Sequence, residues 1–299
     1  MPFESFVNDD FCRRLGKCFV EDLVGLLSKK FGFSQNLRNI LAERYDKMRQ
    51  NFLNVPYDDT RWEQKSGGNP VEGRRDALLK VNISKEGGIL KDLKGYFNLG
   101  FDLPVWFARE GTPKKKIMII AQDPLRKGHA QGELILSTPW GVHSNDYANH
   151  PAPVIKNKLE YLVKKHDCAV YITDGTKFYF TYKIDSKTPS LKKRREILNS
   201  NLQSEVLRQE IQLFDPDFII TLGHAVIECN PEWRVPLASW RNMVRNLDDG
   251  VIKNINPPVL PLYHSGHWKG QNFAPPLEWK EYFNKKLEYL ETLMNNNDF

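Results

Sequence analysis

The sequence predicts an α/β fold: a three-layer α/β/α sandwich on a four-stranded, mostly parallel sheet. Three observations carry this expectation. Short apolar runs stand at 117–120 (IMII), 168–172 (CAVYI), 217–222 (DFIITL) and 259–263 (VLPLY). Stretches of helical periodicity separate the first three of them. Each run then stops at polar or small residues, where an open α/β sheet places its site.

The elements follow in chain order. Residues 18–52 carry apolar side chains at helical spacing, first Phe19, Leu23, Leu26 and Leu27, then Leu37, Ile40, Leu41, Tyr45 and Met48. That spacing predicts two helices. Residues 53–112 are rich in glycine, proline and charge, with KSGGNPVEG and KEGG as turn signals. This segment reads as a long irregular insertion or a functional surface. Residues 1–112 are thus expected to form a helical N-terminal extension and an irregular segment packing on the core, and residues 113–299 the α/β domain. Within that domain helices are expected at 154–165 (VIKNKLEYLVKK), 198–214 and 277–294, between or after the apolar runs.

Composition narrows the class. The chain has 299 residues, and 40% of them are hydrophobic, enough to bury a substantial core. No apolar run approaches the roughly 18 residues of a membrane span. The first residues, MPFESFVNDDFCRRLGK, lack an apolar h-region, so a cytoplasmic location is expected. Cys12, Cys18, Cys168 and Cys229 fit no zinc or iron–sulfur spacing and read as reduced bystanders. A net charge of +6 permits a polyanionic partner without requiring one. Basic runs at Lys114–Lys116 and at Lys192–Arg195 suit either a solvated face or phosphate contacts.

Parallel strands bring their carboxyl ends to one edge. The four runs would deliver Gln122-Asp123, Thr173-Asp174-Gly175, Gly223-His224 and His264-Ser265-Gly266-His267 to that edge. Pro124 biases Asp123 away from helical dihedrals and presents its carboxylate on a stiff turn. Such a carboxylate can orient a water or face a developing cation; it can equally cap a helix or a turn. A neutral His264 can donate a hydrogen bond to an oxygen that becomes anionic, or can sit satisfied in the core. Together they suit a leaving group that departs as an anion from a carbon turning cationic, as in N-glycosidic bond hydrolysis. A metal site from His264, His267, Asp123 and Asp174 is the competing reading, but no zinc motif accompanies it.

At this point the motifs resemble those of the uracil-DNA glycosylase superfamily, over about residues 113–285. The family's Gly-Gln-Asp-Pro-Tyr-His resembles Ala121-Gln122-Asp123-Pro124-Leu125-Arg126. Its next motif, Gly-x-Ala-x-Gly-x-x-Phe-Ser, resembles Gly128, Ala130, Gly132 and Leu136-Ser137. Pro-Ser-Leu-x-Asn resembles Pro153-Val154-Ile155-Lys156-Asn157, and the base-reading strand resembles Val170-Tyr171-Ile172-Thr173-Asp174. Leu-Gly-x-x-Ala is similar to Leu222-Gly223-His224-Ala225, and His-Pro-Ser-Pro-Leu-Ser to His264-Ser265-Gly266-His267-Trp268-Lys269.

The resemblance implies a base-excision repair enzyme that flips a nucleotide from DNA into a pocket. Asp123 would orient water and stabilise the oxocarbenium-like sugar, and His264 the departing base. Gln122, Leu125, Leu136 and Asp174 would bind the base. Ser137, Ser265, His267, Trp268 and Lys269 would contact DNA. Trp268 falls where the family places an intercalating leucine, and could act as a wedge or pack on Phe273 as a loop aromatic.

The departures surround the catalytic pair. Leu125 replaces the tyrosine that rejects a methyl group, Leu136 the stacking phenylalanine and Val154 the phosphate-binding serine. Asp174 replaces the asparagine that reads uracil. An ionised aspartate only accepts hydrogen bonds, so it suits the amino donor of cytosine better than the O4 of uracil. A buried, protonated aspartate would imitate asparagine, and a turn-capping role is the third option. The expected activity is therefore a divergent DNA glycosylase acting on uracil or another flipped base. The alternatives are a non-catalytic nucleic-acid-binding member and an N-glycoside hydrolase on free nucleosides or nucleotides. No cofactor, metal or membrane partner is expected, the partner being single- or double-stranded DNA and the protein a monomer.

Overall fold

The computed structural model describes residues 19–54, 79–107, 113–122, 124, 130–139, 162–163, 166–184, 191–198, 200–247, 249–252, 255–263 and 279–296. Two helices lead the described chain, α1 (Phe19–Phe31) and α2 (Gln35–Asn54). α1 buries Leu23, Val24, Leu27 and Phe31, the stripe its periodicity dictates. Glu21 and Asp22 in its first turn, and Lys29 and Lys30 in its last, complement the helix dipole. It ends at Gly32, whose φ of 67° suits glycine. Gly32 lies against Gly88, and a Cβ on Gly88 would meet the Phe31 carbonyl at 2.1 Å. Ser34 caps α2, its Oγ accepting from the Leu37 amide at 3.2 Å. The Ser34 hydroxyl and amide donate in turn to the Glu86 carboxylate at 2.6 and 3.0 Å, tying this corner to the following segment.

That segment is more regular than its composition suggested. It holds β1 (Leu79–Asn82), α3 (Gly88–Leu93), β2 (Phe97–Asp102) and β3 (Val105–Phe107). After it come β4 (Lys115–Ala121), β5 (Glu133–Ser137), β6 (Cys168–Asp174) and β7 (Phe178–Thr181). The chain continues through α4 (Leu191–Ile197), α5 (Ser200–Phe214), β8 (Phe218–Leu222) and α6 (His224–Ile227). It ends with α7 (Leu237–Arg245), β9 (Val259–Leu262) and α8 (Trp279–Asn296). The helices expected at 198–214 and 277–294 are α5 and α8. The one expected at 154–165 lies almost wholly outside the described residues.

The fold is α/β, with strand orientation mixed in both of its sheets. The four expected strands sit in a sheet of five, ordered β3-β6-β4-β8-β9. β6, β4, β8 and β9 run parallel, and β3 joins the edge antiparallel. β1, β5, β2 and β7 form a second sheet, with β2 parallel to β5 and the other pairings antiparallel. This corrects the expectation of a single four-stranded sheet. The reason is local: β3 adds only the three residues Val105–Phe107, and β1 and β2 are short and interrupted by lysine, asparagine and glycine, so their apolar residues never form a continuous run. β4 and β6 do, because their residues from Ile117 to Ala121 and from Cys168 to Asp174 are buried.

One apolar cluster spans the helices and both sheets. Aromatic rings tie the layers together. Trp106 on β3 stacks on Tyr171 of β6, and Tyr171 on Phe214 of α5, with centroids 6.3 and 5.0 Å apart. Phe31 of α1 meets Phe178 of β7 edge-on at 5.0 Å.

Candidate active site

β4 lies between β6 and β8, so parallel pairing carries three strand ends to one edge, and β9 adds a fourth. The register places Ala121 directly opposite Asp174. The ladder then continues past the strands. The Gly175 amide donates to the Ala121 carbonyl at 2.8 Å, and the Thr176 amide to the Gln122 carbonyl at 3.0 Å. Gln122, half-buried, and Asp174, 2% exposed, are thereby held on adjacent strand ends. On the other side the Gly223 amide donates to the Leu262 carbonyl at 2.8 Å, which locks the ends of β8 and β9 together.

The turn after β6 is packed from below. A Cβ on Gly175 would stand 2.9 Å from Cys229 Sγ and 3.5 Å from the Ala121 carbonyl, so only glycine fits without displacement. Thr176 Oγ1 lies 3.9 Å from the same sulfur. Lys177 is fully buried, and its amide donates to Gln203 Oε1 at 2.9 Å. Its ammonium meets Glu210 of α5 and the Thr173 hydroxyl. Glu210 Oε1 also accepts from Tyr171 at 2.9 Å and Thr173 at 3.0 Å. Burial and the nearby Glu210 carboxylate push the Tyr171 and Tyr45 hydroxyls well above the ordinary tyrosine range. Both stay protonated donors at any ordinary pH.

Beside this turn opens a cleft of about 390 Å³, lined by Thr176, Gln203, Ser204, His224, Cys229 and Arg234 among others. It adjoins the strand edge through Gly175 and His224 but touches neither Gln122 nor Asp174. His224 opens α6, faces Glu228 at 3.7 Å and meets Trp240 edge-on at 5.3 Å. Trp240 packs in turn on Tyr263, whose amide donates to the Tyr282 hydroxyl at 3.4 Å. The last described residue before His264 is thus anchored in the core, 2% exposed.

The other expected site residues divide. Leu136 is fully buried on β5, and at the end of that strand Ser137 pairs with Asp102 of β2. Asp123, Leu125, His264, Ser265, His267, Trp268 and Lys269 lie outside the described residues. Of the residues in the competing metal reading only Asp174 is described; among the described residues no group of three or more His, Cys, Asp or Glu could hold a metal ion. No described helix is long and apolar enough to cross a membrane.

The basic runs separate as well. Lys115 and Lys116 begin β4, about 20 Å by strand rise from the site edge. Lys116 pairs with Asp215 at 2.8 Å and Lys115 with Asp217 at 3.9 Å. In the second run Arg194 is buried with its guanidinium 5.0 Å from the Tyr179 ring centre, while Lys193 is exposed beside Glu196. The Lys177–Glu210 pair and the Gly175–Cys229 contact escaped the sequence reading. The one available signal was a lysine inside the otherwise apolar and small stretch TDGTKFYF.

A family model described as the uracil DNA glycosylase superfamily matches residues 108–288. The match takes in all four strand ends and confirms the resemblance carried by the motifs. A search of curated proteins finds no match.

Proposed function

The chain belongs to the uracil DNA glycosylase superfamily, and on that premise we propose that it hydrolyses the N-glycosidic bond of a base flipped out of DNA. The observation that carries this reading is the juxtaposition of Gln122 and Asp174. Two polar positions distant in sequence, which the family uses around the base, are fixed on neighbouring strand ends by the Gly175 and Thr176 amides.

The chemistry follows from residue types. Asp123 directly follows Gln122 and precedes Pro124, so it starts from the end of β4. Its carboxylate orients a water towards C1′ and offsets the positive charge that develops on the sugar. The glycosidic bond breaks with its electron pair leaving on the base. His264, following the anchored Tyr263, donates a hydrogen bond to the base oxygen that gathers the negative charge. The attacking water loses its proton as the C1′–O bond forms, and the departed base takes one up.

Specificity rests on Asp174. An ionised carboxylate accepts from an exocyclic amino group and opposes a carbonyl. The ionised form therefore places a base with an amino donor, such as cytosine or a modified form of it, ahead of uracil, and a protonated form at this buried position would reverse that order. Helices α1 and α2 pack on an α/β domain whose sheets take in β1, β2 and β3 as well as the strands after residue 113. Trp268 serves as the wedge that fills the gap left by the flipped base, and the enzyme works as a monomer without metal or cofactor.

The test is base release from single- and double-stranded oligonucleotides carrying cytosine, a 5-substituted cytosine, uracil, thymine or hypoxanthine, with free nucleosides alongside. Release from DNA supports the reading. Salt-dependent DNA binding without release would leave a binding protein on this fold, and turnover of free nucleosides alone would make it a nucleoside hydrolase.

A further inference from the structure

Lys177 and Glu210 form a buried ion pair away from the solvent-facing surface, with both side chains at 0% exposure. Such a pair is poor stabilising material. Desolvating two charges costs about what their attraction returns, and apolar replacements are often neutral. The placement of this pair suggests another use. Lys177 lies three residues after Asp174, and its ammonium reaches the hydroxyl of Thr173, the residue just before it. Glu210 takes the Thr173 and Tyr171 hydroxyls on one oxygen. Gln203, on the same helix α5, holds the Lys177 amide at 2.9 Å.

The turn 174–177 is thereby gripped from two directions. On the sheet side it hangs on the Ala121 and Gln122 carbonyls. On the helix side it hangs on two points of α5, Gln203 and Glu210. The backbone bonds set its distance from β4, and the side-chain network sets the angle at which β6 runs into it. Charged hydrogen bonds are short and directional, which an apolar contact is not.

We infer that Lys177 and Glu210 are positioning residues, which orient the Asp174–Thr176 turn against Gln122 and so set the geometry of the base pocket. The inference rests on the glycosylase reading for its link to turnover, but not for its structural content. It differs from a merely stabilising role in one respect: it acts on the local turn rather than on the global fold.

The experiment uses Lys177→Met/Glu210→Gln in the full chain. This variant removes the ion pair while keeping an oxygen for Tyr171 and Thr173. Amide exchange is followed by NMR at Gly175 and Thr176 and, as references, at Ile119 and Ile220 in the central strands. The expected result is exchange at least about tenfold faster at Gly175 and Thr176, with the reference amides changed much less. Single-turnover base release should fall about a hundredfold, as for a misplacement of about 1 Å, with DNA affinity within about threefold. Unchanged exchange at the two turn amides, or equal acceleration everywhere, overturns the inference. Should the double variant not fold, Glu210→Gln alone must show the same local pattern in weaker form, and equal acceleration at all four amides again overturns it. If the unaltered protein releases no base from any oligonucleotide, the glycosylase reading fails, while the exchange pattern still decides the positioning role.

Discussion

Gly175→Ala places one methyl group into the closest packing of the candidate site. The new Cβ would stand 2.9 Å from Cys229 Sγ. Ordinary heavy-atom contact begins at about 3.5–4.0 Å, so the turn or the cysteine must give by about 0.6 Å. Overpacking of this kind costs about 1–3 kcal/mol. Replacing a glycine also stiffens the unfolded chain, which returns about 0.4–1 kcal/mol, and Gly175 is not among the positive-φ glycines that would forbid alanine. The net expectation is a loss of about 1–2 kcal/mol in urea unfolding. The sulfur is the obstacle, so Cys229→Ala should relieve it; the cysteine Cβ, at 3.5 Å, is already at ordinary distance. The double variant is therefore expected to be more stable than the two single losses sum to, by about 1 kcal/mol in a double-mutant cycle. A neutral Gly175→Ala, or additive single and double variants, would refute the packing argument. Base release should fall in Gly175→Ala as well, because any shift of the turn moves the Gly175 amide off the Ala121 carbonyl.

Other expectations follow from the same geometry. Asp174→Asn restores a group that can both donate and accept, so the ratio of uracil to cytosine release should rise by at least about tenfold if Asp174 is ionised; an unchanged ratio would show that Asp174 is protonated or does not read the base. Tyr45, Tyr171 and Tyr282 are held above the ordinary tyrosine range chiefly by burial. The folded state thus keeps protons that the unfolded state loses above pH about 10, and stability should fall there by about 4 kcal/mol per pH unit, seen in urea midpoints and in a step of tyrosinate absorbance that accompanies unfolding. The Cys168 thiol, pushed up to about 12 mainly by burial, should resist thiol reagents until the same transition. Lys115→Gln/Lys116→Gln should leave the salt dependence of DNA binding unchanged, because these lysines sit at the amino end of β4 against Asp215 and Asp217; a slope reduced by one or two would place DNA on that edge.

The central strands were legible because a parallel strand buried on both faces needs an unbroken apolar run, as in Ile117–Ala121 and Cys168–Ile172. Their polar stops then marked the site edge. The second sheet was not legible, since β1 and β2 are short strands set among lysines and glycines, and their pairing with β5 and β7 is non-local. The partners of Lys115 and Lys116 were hidden for the same reason: Asp215 and Asp217 arrive from the far end of α5. The Lys177–Glu210 pair is the plainest case. Charged residues read singly as surface, and only the fold reveals that one closes on the other beside Thr173. Gln122 and Asp174, by contrast, were readable as meeting at one sheet edge from the parallel strands, and the register seats Asp174 opposite Ala121, the residue before Gln122.

The most direct measurement is single-turnover release of base from cytosine- and uracil-containing oligonucleotides by the unaltered protein and by Asp123→Asn. The account predicts release that falls by at least about a hundredfold in Asp123→Asn, with DNA binding retained, and a base preference set by the protonation of Asp174. Equal release by both proteins, or none by either, would contradict it.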